Sequence, residues 1–350
     1  MNRTPIAVGG LLIALLALPG CDTITDLIGG GGGAEAFAEG EALLRQGDLP
    51  AAADRWEEAQ VAAPGDVDAA SGAAYALLLK GDTAAADAAL AAAEEKAGER
   101  IGELKMRRAL VALEAGDLDQ VRVHAMASGL PAGKLLAAEV AMADGETDEA
   151  LELLGEVSGG GGAVAQLASD YTDRLSDDDP MVSGLCEAEA LWALGVRKVA
   201  VKSADELVRG LPEDREDQPA LLLTWAGRAV SVYEAEIAQG LLEPLTFPPD
   251  GMKWRKDAVQ AMVHCVQGEI ETCQSTFDKL DRTGPATGVA DARATAAYLI
   301  AEENPEAAKA LVGSLQSNAA ARALLATGDG SAAQAASPGG VIDNYLQSGG

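Results

Sequence analysis

The sequence predicts an all-α fold, an α-solenoid of antiparallel helix pairs arranged as two arrays. Three observations predict it. Gly47-Asp48 recurs 34 residues on as Gly81-Asp82, with a small residue five places after each glycine (Ala52, Ala86) and a larger one at nine (Trp56, Leu90). The same mark returns at Gly116, Gly145, Gly195, Gly268 and Gly328, usually followed by an acid, and each time by Val121, Ala150, Ala200, Cys273 or Ala333 five places on. The hydrophobic 48% is largely alanine, aromatics stand at 3% and β-branched residues are sparse. That composition suits close-packed helices and gives a sheet little to build with.

Residues 1–20 read as a separate device. Arg3 supplies one positive charge and Ile6 to Leu18 is an uncharged apolar run, too short to span a bilayer stably and of the length of a signal h-region. Leu18-Pro19-Gly20-Cys21 resembles a bacterial lipobox, with Pro19 where a small residue is usual. The resemblance implies that Cys21 becomes the lipidated first residue of a lipoprotein in the bacterial cell envelope, facing the periplasm or the exterior. Each buried acyl methylene then adds about 0.8 kcal/mol of membrane affinity. Gly29 to Gly33 makes 21–33 a flexible tether. A phosphate-binding loop would need Lys-Ser/Thr next, and Ala34-Glu35 follows instead.

Residues 34–157 form the first array. Each unit is two helices joined at Gly-Asp, with Gly40 and Ala74 seven places before the turn allowing close approach and Leu43 and Leu77 filling the seam. The series Gly40, Gly47-Asp48, Ala52, Trp56, Pro64 and its 34-residue period resemble a tetratricopeptide repeat. That resemblance implies that the first helices line a concave groove for an extended protein or peptide segment. The groove positions are Phe37, Glu41, Leu44 and Arg45, then Ser71, Tyr75, Leu78 and Leu79, then Met106, Leu110, Leu113 and Glu114. The Lys and Asn with which the family clamps a carboxylate are replaced here by Phe37 and Glu41, so an apolar groove with an acidic rim is expected.

Gly159 to Gly162 ends this array, because a helix interior loses about 1 kcal/mol per glycine, and 158–180 is expected as a linker. Asp177-Asp178-Asp179-Pro180 lacks the alternation of a calcium loop and reads as a solvated turn. Residues 181–336 form a second, degenerate array. Glu187–Leu211 pairs about Gly195, and Ala220–Leu242 reads as one long helix with Trp225 and Tyr233 in the core. Pro248-Pro249-Asp250-Gly251 is a turn cluster, expected to be packed down by Phe247 and Trp254. Lys256–Lys279 is a further pair, Ala290–Leu315 turns at Asn304-Pro305, and Ala319–Ala336 caps the array. Residues 337–350 read as a disordered tail.

The formal charge of −29 argues against nucleic acid and against anionic lipid head groups, and favours basic partners. Cys265 and Cys273 flank Gly268 on facing helices, where they either bond or fill alanine places as small buried residues. His124 has no Cys or carboxylate at metal-ligand spacing, His264 occupies a seam place and with Cys265 and Cys273 supplies at most three ligands in no recognised pattern, and no nucleophile elbow, Ser-x-x-Lys or His-Glu-x-x-His occurs. No catalytic residue, cofactor or metal is assigned. The reading is a non-catalytic, lipid-anchored interaction scaffold of the envelope, its membrane contact made through the lipid anchor. The alternative is a structural subunit of an envelope assembly or outer-membrane machine with convex, C-terminal contacts. A hydrolase using unrecognised carboxylates comes third.

Overall fold

A computed structural model describes residues 32–45, 49–63, 65–79, 81–177, 179–212, 215–249 and 251–336. The signal segment, Cys21, most of the tether, Gly47 and the tail lie outside the described residues. Among those described there is no strand. The chain divides into two compact units, one through Ser176 and one from Asp177.

Unit 1 contains α1 (Gly32–Arg45), α2 (Leu49–Ala62), α3 (Val67–Leu79), α4 (Thr83–Ala93), α5 (Ile101–Glu114), α6 (Leu118–Ala127), α7 (Pro131–Ala143), α8 (Thr147–Ser158) and α9 (Ala163–Leu175). The helix α1 begins inside the expected tether, since Gly32 and Gly33 form its first turn. Successive helices pair as hairpins, and the second helix of each hairpin packs on the first helix of the next. The stretch expected as a linker holds α9, which packs on α8 and α7.

The Gly-Asp turn has a physical division of labour. Gly81 adopts φ 76°, a left-handed conformation that a side chain would strain. Its N–H bonds to Leu78 O and that of Asp82 to Leu77 O, each at 2.9 Å, which satisfies the carbonyls left open at the end of α3. The Asp82 carboxylate then accepts from Ala85 N–H at 2.9 Å and caps α4. One dipeptide stops one helix and starts the next. Gly116-Asp117 repeats the device, with Asp117 accepting from Gln120 N–H at 3.0 Å.

Small residues set the helix spacing. Trp56 of α2 is fully buried between α1 and α3, where a Cβ on Gly40 would lie 2.6 Å from its Nε1 and one on Gly72 2.7 Å from its Cδ1. Burying an indole of roughly 200 Å² is worth about 5 kcal/mol at most. Either glycine replaced by alanine would push that ring out of its seat.

Unit 2 contains α10 (Pro180–Ala193), α11 (Arg197–Arg209), α12 (Gln218–Ser231), α13 (Ala235–Leu242), α14 (Lys253–Val266), α15 (Ile270–Thr283), α16 (Ala286–Ile300), α17 (Pro305–Val312), α18 (Asn318–Ala326) and α19 (Gly330–Ala336). One apolar core runs from Leu185 to Ala336. Here the first helices α12, α14, α16 and α18 pack directly on one another. Asn304 caps α17 by accepting from Ala307 N–H at 3.1 Å, with Pro305 opening the helix.

The single helix expected over Ala220–Leu242 is in fact a hairpin. Tyr233 sits at its turn with φ 64°, where the other turns place glycine. Its N–H reaches Val230 O and that of Glu234 reaches Ala229 O, the same closure as at Gly81. Tyr233 is therefore not a core residue: it is 54% exposed, with its hydroxyl donating to Leu299 O at 2.7 Å. Trp225 is fully buried, as expected.

Candidate partner-binding site

The first helices of unit 1 carry the residues expected to line a groove, and the structure sorts them. Phe37 of α1 and Tyr75 of α3 are buried at 7% and 8% exposure. Their rings close on Trp56 from either side, at centroid distances of 6.4 and 5.5 Å, the second edge-on. Leu78 and Leu110 are buried as well. These four side chains belong to the seam between helices and line no open groove. Only Met106 and Glu114 of α5 stay half-buried among the expected residues whose side chains are described. The side chains of Glu41, Leu44, Arg45 and Leu79 lie outside the described residues.

Beside Met106 runs a polar seam between α3 and α5. Arg100, just before α5, grips Asp68 with two hydrogen bonds of 2.9 and 2.7 Å and also reaches Glu103. The bonds to Asp68, with a smaller contribution from Glu103, hold the Arg100 guanidinium more firmly protonated than usual, against the opposing effect of burial. Arg107 is buried and donates to the Ser71 hydroxyl and to Val67 O. Spacing from the turn places Ser71 on this helix but gives no sign that a buried arginine takes it.

Further along, Glu139 of α7 receives a long hydrogen bond, 3.4 Å, from the Tyr171 hydroxyl of α9. Desolvation pushes the Glu139 carboxyl up to about 7, and the Tyr171 bond only partly opposes this. Sequence reading passes over Glu139. A single glutamate in the run Ala137–Ala141 is the available signal, because an acid among alanines on a first helix faces desolvation whichever way it turns.

The other side of unit 1 is ionic. Arg108 bonds both carboxylate oxygens of Asp87, at 2.6 and 2.8 Å, and reaches Glu94, which Lys105 also holds at 2.7 Å. His124 is buried nearby, its pKa lowered by desolvation and by the positive charge of Arg108. These pairs tie α5 to α4 and to Glu94 just after it.

Cys265 and Cys273 are joined by a disulfide with Cα atoms 5.3 Å apart, closing the α14/α15 hairpin near its turn. His264 Nδ1 lies 2.6 Å from Glu269 Oε2 at the same turn. Phe247, expected to pack down, is 93% exposed. Leu245 takes the inward place in that loop, and Trp254 packs on α16, where a Cβ at Gly288 would collide with its ring.

No protein-family model and no curated protein matches the chain. Among solved structures, the crystal structure of the tetratricopeptide-repeat domain of P58(IPK) is similar to it. The match has 14% identity and a TM-score of 0.25, and covers 86% of this chain and 99% of that one. At that score the likeness adds nothing to what helix packing shows: each unit is an all-α stack of antiparallel hairpins taken in chain order.

Proposed function

We propose that this chain is a non-catalytic scaffold of the bacterial cell envelope, lipid-anchored through Cys21, that holds a segment of another envelope protein along the first helices of unit 1. The observation that supports this is the packing order. Hairpins follow one another in sequence, so α1, α3 and α5 are neighbours, and α7 and α9 are neighbours. Helices aligned in this way offer a long surface, where a reaction centre would need a pocket. The half-buried Met106 and Glu114 give that surface an apolar side chain and an acidic one on the same helix. An extended segment with apolar and basic side chains complements it.

The test changes the two half-buried side chains of the α5 face and takes helicity as its control for folding. Met106→Asp with Glu114→Lys should abolish recovery of the partner identified by crosslinking in the native cell and mass spectrometry, with helicity unchanged. Recovery at the original level removes the α5 face from the account. Separately, Cys21→Ser should release the chain from membranes and abolish labelling by a fatty-acid analogue. A variant that stays membrane-bound ends the anchor reading.

A further inference from the structure

Phe247 stands out on the loop between α13 and α14. It is 93% exposed, yet the loop beneath it is fixed. Leu245 is buried, Lys256 Nζ donates to Leu245 O at 2.6 Å, and Met252 N–H reaches Pro249 O at 3.0 Å. Pro248 and Pro249 remove further backbone freedom. An exposed aromatic ring on a pinned loop loses little entropy when something covers it.

The adjoining first turn of α14 adds charge. Residues 251–256 contain Lys253, Arg255 and Lys256 and no acid. Cations at a helix N-terminus oppose its dipole, by about 0.3–1 kcal/mol each. Acids outnumber bases 55 to 26 in this chain, and Lys198, Arg209, Arg215, Arg293 and Lys309 of unit 2 all find carboxylates. Lys253 and Arg255 are exposed and make no ion pair among the described residues, and Arg255 only lies 5.7 Å from the Trp254 ring centroid. The end of α15 comes back beside them, where a Cβ at Gly284 would lie 3.5 Å from Trp254 Cβ, and it brings the exposed Lys279 and Arg282. The acids near this end in sequence are Glu243, Asp250, Asp257, Asp278 and Asp281, of which Arg293 holds the last two at 2.5 and 2.9 Å. Among the described residues, then, Lys253 and Arg255 stand without a carboxylate partner, in an unfavourable place, a few residues along the chain from an exposed ring.

We propose that this loop and helix start dock on an anionic phospholipid surface, with Phe247 entering the headgroup boundary and Lys253 and Arg255 meeting phosphates. An acidic protein would also attract the cations. But one ring and a few cations cover far less than the roughly 1,000 Å² of a stable protein interface. A bilayer asks for less, because an aromatic ring and two cations are a sufficient interfacial contact once another anchor supplies the effective concentration. No helix of the described residues is long and apolar enough to cross a membrane, so the contact is superficial. The acidic remainder of the chain acts weakly here, since charges beyond about 8 Å are screened at physiological salt. The proposal rests on the membrane placement put forward above for its biological setting, and its test does not.

The full chain carrying Cys21→Ser and Thr246→Cys, with a bimane label at position 246, is held by a C-terminal polyhistidine tag on nickel-chelating vesicles, so that neither tethering nor labelling depends on Cys21. Vesicles of phosphatidylcholine alone are compared with vesicles containing phosphatidylglycerol. The label should shift to the blue and be quenched by brominated lipid only on the anionic vesicles. At about 1 kcal/mol per cation near the surface, Lys253→Gln with Arg255→Gln should lower the ratio of lipid-buried to wet label about 30-fold. Phe247→Ala should lower it as well. A label that stays wet on both vesicles overturns the proposal, as does one buried only when polyglutamate is added. Failure of Cys21→Ser to release the chain in cells would instead count against the lipid anchor and leave this result standing.

Discussion

Arg108 of α5 and Arg228 of α12 each lie on the first helix of a hairpin, and they are used differently. Arg108 clamps Asp87 with two bonds and reaches Glu94. Arg228 lies over two indoles, 4.3 Å from the Trp225 centroid and 5.1 Å from that of Trp192. The contrast extends across the units. Arg100 and Arg122 join hairpins of unit 1 through carboxylates and Lys134 ties α7 to α8 within one, whereas Arg293 and Arg322 of unit 2 also lie over Phe277 and Tyr298. Beyond Trp56, unit 1 has few rings for its arginines to cover, and it uses the abundant acids. Unit 2 has rings at each first helix from α10 to α16 and packs α12, α14 and α16 directly on one another. The same turn chemistry thus supports two ways of fastening hairpin to hairpin. Ion pairs are screened by salt, while cation–π contacts made by desolvated arginines keep more of their strength.

The largest expected effect falls on unit 1. Trp56→Ala removes the ring that α1, α2 and α3 share, and large-to-small core changes of this kind cost about 3–5 kcal/mol. Denaturant unfolding followed at sites in each unit should show unit 1 melting early and unit 2 unmoved. A common shift in both would mean that the division at Ser176 is not energetic.

The complementary change targets unit 2. The Cys265–Cys273 bond spans a sequence separation of 8. Loop-closure entropy for so short a loop predicts a loss of about 2.5 kcal/mol when Cys265→Ala and Cys273→Ala are combined. The loss should appear in unit 2 alone, and reducing agent should reproduce it in the wild-type chain. If reductant leaves unit 2 unchanged, the stacked first helices already hold the hairpin and the bond is redundant.

Much of this contrast is legible in the chain. Gly81-Asp82 and its repeats announce hairpins because only glycine takes the left-handed turn cheaply and aspartate caps the next helix. A ruler that counts glycines passes over the hairpin at Tyr233. Glu234 and the buried Ala238, five places on, are the surviving marks of the pattern there. Spacing puts Phe37 and Tyr75 on the correct helices, but it fixes a residue along a helix and not the reach of its ring. With Gly40 and Gly72 opposite Trp56, the space beside that indole draws both rings inward. Aromatic character alone suggests that Phe247 packs. Whether it or Leu245 fills the inward place depends on a loop path that two prolines bend, and composition does not carry that information.

A pH experiment sharpens the comparison from the side of charge. Glu139 keeps its proton up to about 7 in the folded chain, against 4.5 for the free group. Between these values the unfolded chain binds fewer protons than the folded one, so stability contributed by the neutral carboxyl is complete below about 4.5 and is lost as pH rises through 7. The loss is at most about 3 kcal/mol at 1.36 kcal/mol per unit, and smaller to the extent that water reaches this half-buried group. Glu139→Gln should flatten the fall in unit 1 stability over that range. Glu187 of unit 2 is also raised by burial, so unit 2 retains its own decline. A profile for unit 1 that is unchanged by Glu139→Gln would remove Glu139 as the source of the fall, because the ion pairs around Glu94, whose pKa is lowered, act in the opposite sense and at lower pH.

The smallest effect tests whether the two units close their hairpins by the same physics. Tyr233 occupies a conformation that costs a side chain about 1–2 kcal/mol, and its hydroxyl offsets part of that by donating to Leu299 O at 2.7 Å. Tyr233→Phe keeps the strain and loses the bond, so unit 2 should lose about 1 kcal/mol. Tyr233→Gly loses the bond and relieves the strain, so its stability should lie within about 1 kcal/mol of wild type and above that of the Phe variant. The ordering carries more weight than either value. If Gly falls below Phe, the ring itself packs on unit 2 strongly enough to outweigh the backbone, and the α12/α13 turn is then held from outside the hairpin, unlike Gly81 and Gly116, where the turn holds itself.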